Sequence, residues 1–129
     1  MPNFLQKYIL DESAPAGADL STSYGRFVRL SAGEAVLCVL GQRGWPLTNK
    51  PSNAANASEA TASFRVVGIA RVITGAAIAE MANVTADAAG AAITAASGHE
   101  VNGIALEAAG AAGEMISILV TTGGGAPLP

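Results

Sequence analysis

Residues 64–73 read FRVVGIARVI, and residues 115–120 read MISILV. The first run is almost continuously apolar, as expected of a strand buried on both faces; the second alternates weakly, as a half-buried strand does. Between them lie many alanines, the best helix formers, and 28 of the 129 residues are alanine. Gly75, Gly90, Gly98, Gly103, Gly110 and Gly113 nevertheless interrupt every alanine-rich window. Each glycine costs about 1 kcal/mol relative to alanine inside a helix. No stripe of large residues at i, i+3, i+4, i+7 survives between them. Large apolar residues cluster instead in short runs bounded by glycine: Phe27–Leu30, Ala35–Leu40, Phe64–Ile73, Val101–Leu106 and Met115–Val120. Residues 83–85 and 91–95 are weaker strand candidates, and a helical turn remains open around residues 76–81. The expected fold is all-β, a small β-barrel or β-sandwich of tulip-like shape.

The length allows one domain. Residues 1 to about 24 read as a peripheral arm and linker. They hold an apolar cluster, Phe4, Leu5, Tyr8, Ile9 and Leu10, followed by the aperiodic stretch DESAPAGADLSTS. The β domain is expected over residues 25–120, with a long turn-rich loop at 41–63 and a flexible tail at 121–129. One internal echo recurs at a spacing of 35 residues: Gly68-Ile69-Ala70 with Gly103-Ile104-Ala105, and Gly75-Ala76-Ala77 with Gly110-Ala111-Ala112. Either low complexity matches itself here, or two similar strand–turn units pack in one small barrel or sandwich.

Composition narrows the function classes. Alanine buries a single methyl, worth about 0.8 kcal/mol, and only six residues are aromatic. The core is therefore thin, and assembly with other chains is an expected source of stability. Seven basic residues against ten acidic ones, a net charge of −3, supply no basic patch for nucleic acid. No apolar run approaches the roughly 20 residues that span a bilayer, and the first residues lack a secretory signal pattern. A single cysteine excludes an internal disulfide framework and a cysteine-rich zinc site.

Candidate chemistry is sparse. His99, in a Ser-Gly-His-Glu turn, has no evident orienting partner, and Cys38 in AVLCVL reads as an inert core thiol. Glu80, Asp87, Glu100, Glu107 and Glu114 read as a solvated rim. Gly123–Gly125 lacks the helix and Gly-Lys-Ser/Thr of a phosphate loop. No catalytic residue, metal ligand or cofactor site is therefore expected. Trp45, with Arg43 two residues away, either folds back on its own domain or anchors an interface, where Trp and Arg are enriched. Phe4, Leu5, Tyr8, Ile9, Leu10, Arg43 and Trp45 are the expected contact residues, and the N-terminal cluster is expected to leave its own domain for a neighbouring subunit, the alternative being that it folds back as an edge strand of its own domain.

The stretch VVGIARVITGAAIAEMANVTADAAGAAITAA, followed by HEVNGIALEAAGAAGEMISILV, resembles the bacteriophage capsid cement, or head decoration, proteins. Gly75, Ile78, Val84, Thr85, Asp87 and Gly90 match the first part of that pattern. Val101, Gly103–Ala108, Gly113 and Glu114 match the second. Met81 or Ala82 stands where the pattern has a turn glycine. The resemblance covers about the last 55 residues of residues 1–120, and the earlier ones only in general character. It implies a non-enzymatic protein of tailed phages, made in the host cytoplasm. Such a protein sits on the outer capsid surface and staples neighbouring major capsid protein subunits, as a trimer or, second, a dimer, without nucleic-acid or membrane partners. Two rivals stay open: another virion part, such as a tail or fibre-associated β domain, and a small enzyme or ligand-binding barrel with its site in the 41–63 loop.

Overall fold

The structure, a computed structural model, describes residues 7–51 and 60–120. Its strands are β1 (Lys7–Pro15), β2 (Phe27–Ser31), β3 (Glu34–Leu37), β4 (Trp45–Pro46), β5 (Thr61–Ile73), β6 (Asn83–Ala86), β7 (Ala92–Thr94), β8 (Gly103–Ala105) and β9 (Met115–Val120). The described residues contain no helix, so glycine spacing prevails over alanine propensity. Six strands form one antiparallel sheet in the order β1-β5-β9-β8-β6-β7, and three form a second in the order β3-β2-β4. The architecture is two packed sheets rather than a closed barrel. A single bridge between Thr74 and Ala92 ties the far edge of the large sheet back to the end of β5.

The 35-residue echo has a structural basis in β9. Gly68 on β5 and Gly103 on β8 both lie opposite Val120; Ile69 and Ile104 both face Leu119; Ala70 and Ala105 both face Ile118. The two copies flank the same strand in the same register. Their turns also meet: Ile78 and Ala109 exchange backbone hydrogen bonds of 2.9 and 2.8 Å, and Thr74 bonds to Glu114 and Gly113. Of the two readings of the echo, this pairing fits the one with two similar strand–turn units.

Two buried clusters make up the core. One joins Phe27 and Cys38 to Ala70, Val72, Val84, Ile116 and Ile118; the other joins Val28 and Ala35 to Ala62, Phe64 and Leu47. Trp45 packs against both. Among the described residues, ten of the 22 buried hydrophobic ones are alanine, so the core contains many methyls and little side-chain volume.

Four expectations need correction. Lys7–Pro15 is not a detached arm but the edge strand of the chain's own large sheet, paired antiparallel with β5 from Lys7↔Ile69 to Pro15↔Thr61. The edge strand is the second reading of this segment, and what favours it is the backbone ladder to β5 and the Arg65–Asp11 ion pair, which a count of apolar side chains does not see. The following linker is also tied down, with Ala16 and Leu20 fully buried. The 41–63 loop is shorter than expected: Trp45–Pro46 pairs with β2, Leu47 bridges to Phe64, and β5 already starts at Thr61. The run 35–40 leaves the sheet after Leu37, and Val39 and Leu40 are exposed. Residues 76–81 form no helical turn. Met81 adopts φ +71°, the left-handed conformation that glycine takes without strain.

Candidate functional site

Among the expected contact residues that are described, Ile9, Leu10 and Arg43 are exposed and Trp45 is half-buried. Phe4 and Leu5 lie outside the described residues, as does the 121–129 tail. Tyr8 stands opposite Gly68 in the β1–β5 ladder. Ile9 and Leu10 are exposed at bulges of β1, where the register slips twice, between Tyr8 and Leu10 and between Leu10 and Asp11. Trp45 is half-buried, and its ring stacks on Phe64 with centroids 5.3 Å apart and planes 16° apart. Its ring therefore folds back on its own domain. Arg43 is exposed and reaches Glu100, Nη2 to Oε2, at 3.0 Å.

The remaining candidates from the sequence are held by structural contacts. The Cys38 thiol is buried and donates to the Arg43 carbonyl at 3.4 Å. Burial pushes its pKa up to about 12, with Arg29 opposing the shift, so it is a neutral core group at ordinary pH. The half-buried His99 accepts a hydrogen bond at Nδ1 from the Ala96 amide at 3.1 Å. Asp87 accepts from the amides of Ala89 and Ala91 and so fixes the turn before β7. Glu107 lies 3.6 Å from Arg71, an ion pair without a hydrogen bond. Among the described residues no group of three or more His, Cys, Asp or Glu side chains could hold a metal ion, and no helix is long and apolar enough to cross a membrane.

Two features were missed in the sequence. One is the latch of β1: Arg65, itself buried, donates from Nε and Nη2 to the two carboxylate oxygens of Asp11 at 2.8 and 3.0 Å, and from Nη1 to the Ile69 carbonyl at 2.9 Å. The residues are 54 positions apart, so no local pattern announces the pair. The other is a framework around buried Asn102, which donates to the Gln42 carbonyl at 2.9 Å and accepts from the Gly44 amide at 3.1 Å. Gln42 in turn accepts at Oε1 from the Val39 amide at 2.9 Å. These bonds fix a tight turn at residues 39–42, with large aliphatic side chains at its tip.

The described surface thus offers shape and exposed aliphatic groups rather than a reactive constellation. No family model matches the chain, and no curated protein sequence does. Among solved structures, the head fiber gp8.5 N base in bacteriophage phi29 is similar, with a TM-score of 0.67 at 17% identity. The match covers 93% of this chain and 98% of that one. At that identity the likeness shows a shared fold, and it extends over nearly the whole of both chains.

Proposed function

We propose that this protein is a structural component of a phage virion that binds the outer surface of the capsid and stabilises contacts between major capsid protein subunits. The observation that carries the reading is the end-to-end likeness of fold to the base of a phage head fiber. The resemblance of residues 66–120 to capsid cement proteins points to the same location by an independent route. The protein acts by binding rather than catalysis, needs no cofactor, and associates with itself on the shell, as a trimer in preference to a dimer. A core in which alanine supplies ten of 22 buried hydrophobic residues leaves stability to be gained from neighbours. Weak self-contacts suffice on a lattice, where many sites act together.

The fold likeness favours a second reading to the same degree: a base that attaches a fibre to the head. The two differ in what projects from the shell. Electron cryo-microscopy of shells incubated with the protein tests both. Density confined to a low layer bridging neighbouring subunits is the expected result, and a stalk rising from each copy supports the fibre base. Failure to co-sediment with shells, together with bare shells in the images, overturns the proposal.

A further inference from the structure

Val39 and Leu40 are 51% and 54% exposed at a turn closed by the Gln42 amide donating to the Val39 carbonyl at 3.1 Å. Gly41, at φ +74°, occupies the third position, as a type II turn requires. Turn tips usually carry Gly, Pro, Asn, Asp or Ser; this one carries two of the chain's large aliphatics, and neither is buried in its own domain.

The turn is also held unusually well. The Gly41 amide donates to Ala86 at 2.9 Å and its carbonyl accepts from Glu100 at 3.0 Å. Beneath it, Asn102 is 2% exposed and spends both ends of its amide on this segment. The His99 ring backs Gly41 so closely that a Cβ there would sit 2.7 Å from the ring's Cδ2. A buried amide committed to holding a loop still is explained if the exposed tip must keep one shape. A tip ordered in advance loses little entropy on binding.

The surroundings identify the kind of partner. The nearby charges Arg43 and Glu100 neutralise each other at 3.0 Å, and Arg26 is engaged on the Ala89 carbonyl at 3.0 Å. An anionic membrane or a nucleic acid would be met by a cluster of uncompensated basic residues, whereas Arg43 here is paired with Glu100 and the whole chain carries −3. An uncharged, convex, rigid aliphatic tip fits a concave apolar recess in a protein.

We infer that the Val39–Leu40 turn is a preformed knob that seats in an apolar recess of the phage shell protein. This rests on the virion reading above, and the test separates the two. Shells assembled from the major capsid protein of the source phage are incubated with the full-length protein and sedimented. The unaltered protein is compared with the double variant Val39→Ser/Leu40→Ser and with Leu30→Ser, an equally exposed aliphatic at the other end of the β2–β3 pair. The double variant is expected to keep its melting temperature and lose affinity by about tenfold or more, about 1.4 kcal/mol; Leu30→Ser is expected to bind normally. If the unaltered protein binds and the double variant binds equally, the knob is wrong and the virion reading stands. If the unaltered protein does not bind shells, both fall. Should phosphatidylcholine vesicles sediment the unaltered protein but not the double variant, the tip is a lipid anchor and the inference is overturned.

Discussion

The substitution Asp11→Asn tests how β1 is held. None of the side chains from Ile9 to Pro15 is buried; Ala14 alone packs at the margin of a core cluster. What remains is the ladder to β5 and the fork between Arg65 and Asp11. Asparagine keeps the shape but loses the charge and one of the two acceptors. Buried Arg65 then has an N–H and a full charge without their partner. Hydrogen bonds to charged groups contribute about 1.5–3 kcal/mol each, and breaking a fully buried pair costs about 3–5 kcal/mol. The Asp11 side chain is 25% exposed, so water screens part of this. An intermediate figure of about 2 kcal/mol is expected, equivalent to about thirty-fold in an opening equilibrium. Amide hydrogen exchange reads this directly, because local openings are resolved strand by strand. The β1 amides bonded to β5 should lose protection by that factor while β9 and β6 keep theirs. Adding Arg65→Met should restore much of the loss, since the unpaired charge is then gone. Unchanged β1 protection in Asp11→Asn would refute the latch. Equal loss in β1 and β9 would show that β1 unfolds only with the core.

Met81→Gly should stabilise the domain by up to about 1 kcal/mol, because a left-handed residue with a Cβ is strained and the exposed Met81 side chain has little packing to lose; a lower melting temperature would contradict this. Gly44→Ala should destabilise by about 3 kcal/mol or more, since its Cβ would overlap the Cys38 sulfur and the Val28 carbonyl; denaturant melts measure it. Cys38 should stay unlabelled by a bulky thiol reagent until the protein unfolds, and rapid native-state labelling would move it to the surface. Its folded pKa lies above that of the unfolded thiol, so the native state binds the extra proton. Stability is therefore complete below about pH 9 and falls as pH rises toward 12, and Cys38→Ala should flatten that alkaline decline relative to the unaltered chain.

The sequence was most legible where large apolar side chains and glycines alternate. Met115–Val120 matches β9 at both ends, and Phe64–Ile73 lies within β5. The β class follows from glycine spacing alone. What stayed hidden depends on partners distant in the chain. Lys7–Pro15 carries no convincing strand pattern because none of the side chains from Ile9 to Pro15 is fully buried, and its strand character comes from pairing with β5. Trp45–Pro46 is two residues long and takes its conformation from β2. Arg65–Asp11 and Asn102–Gln42 span 54 and 60 positions, and only the folded chain brings them together. Trp45 was ambiguous by type and is placed on Phe64 by packing.

Ala70 and Ala105 lie opposite Ile118 on the two sides of β9, and all three are buried in one core cluster. Burying a methyl at such positions gains about 0.8 kcal/mol each, far less than a leucine in the same place. Stability must then come largely from ladders, turns and the few charged or amide bridges already described. A chain so short of buried volume still leaves Ile9, Leu30, Val39, Leu40 and Leu119 more than 40% exposed. Single exposed aliphatics are ordinary on protein surfaces, and Leu30 and Leu119 need no further account. Val39 and Leu40 differ because neighbouring side chains and backbone bonds hold them in one conformation. Under the proposed function a thin core and a rigid aliphatic tip belong together, because the tip seated on the shell supplies the burial that the core lacks.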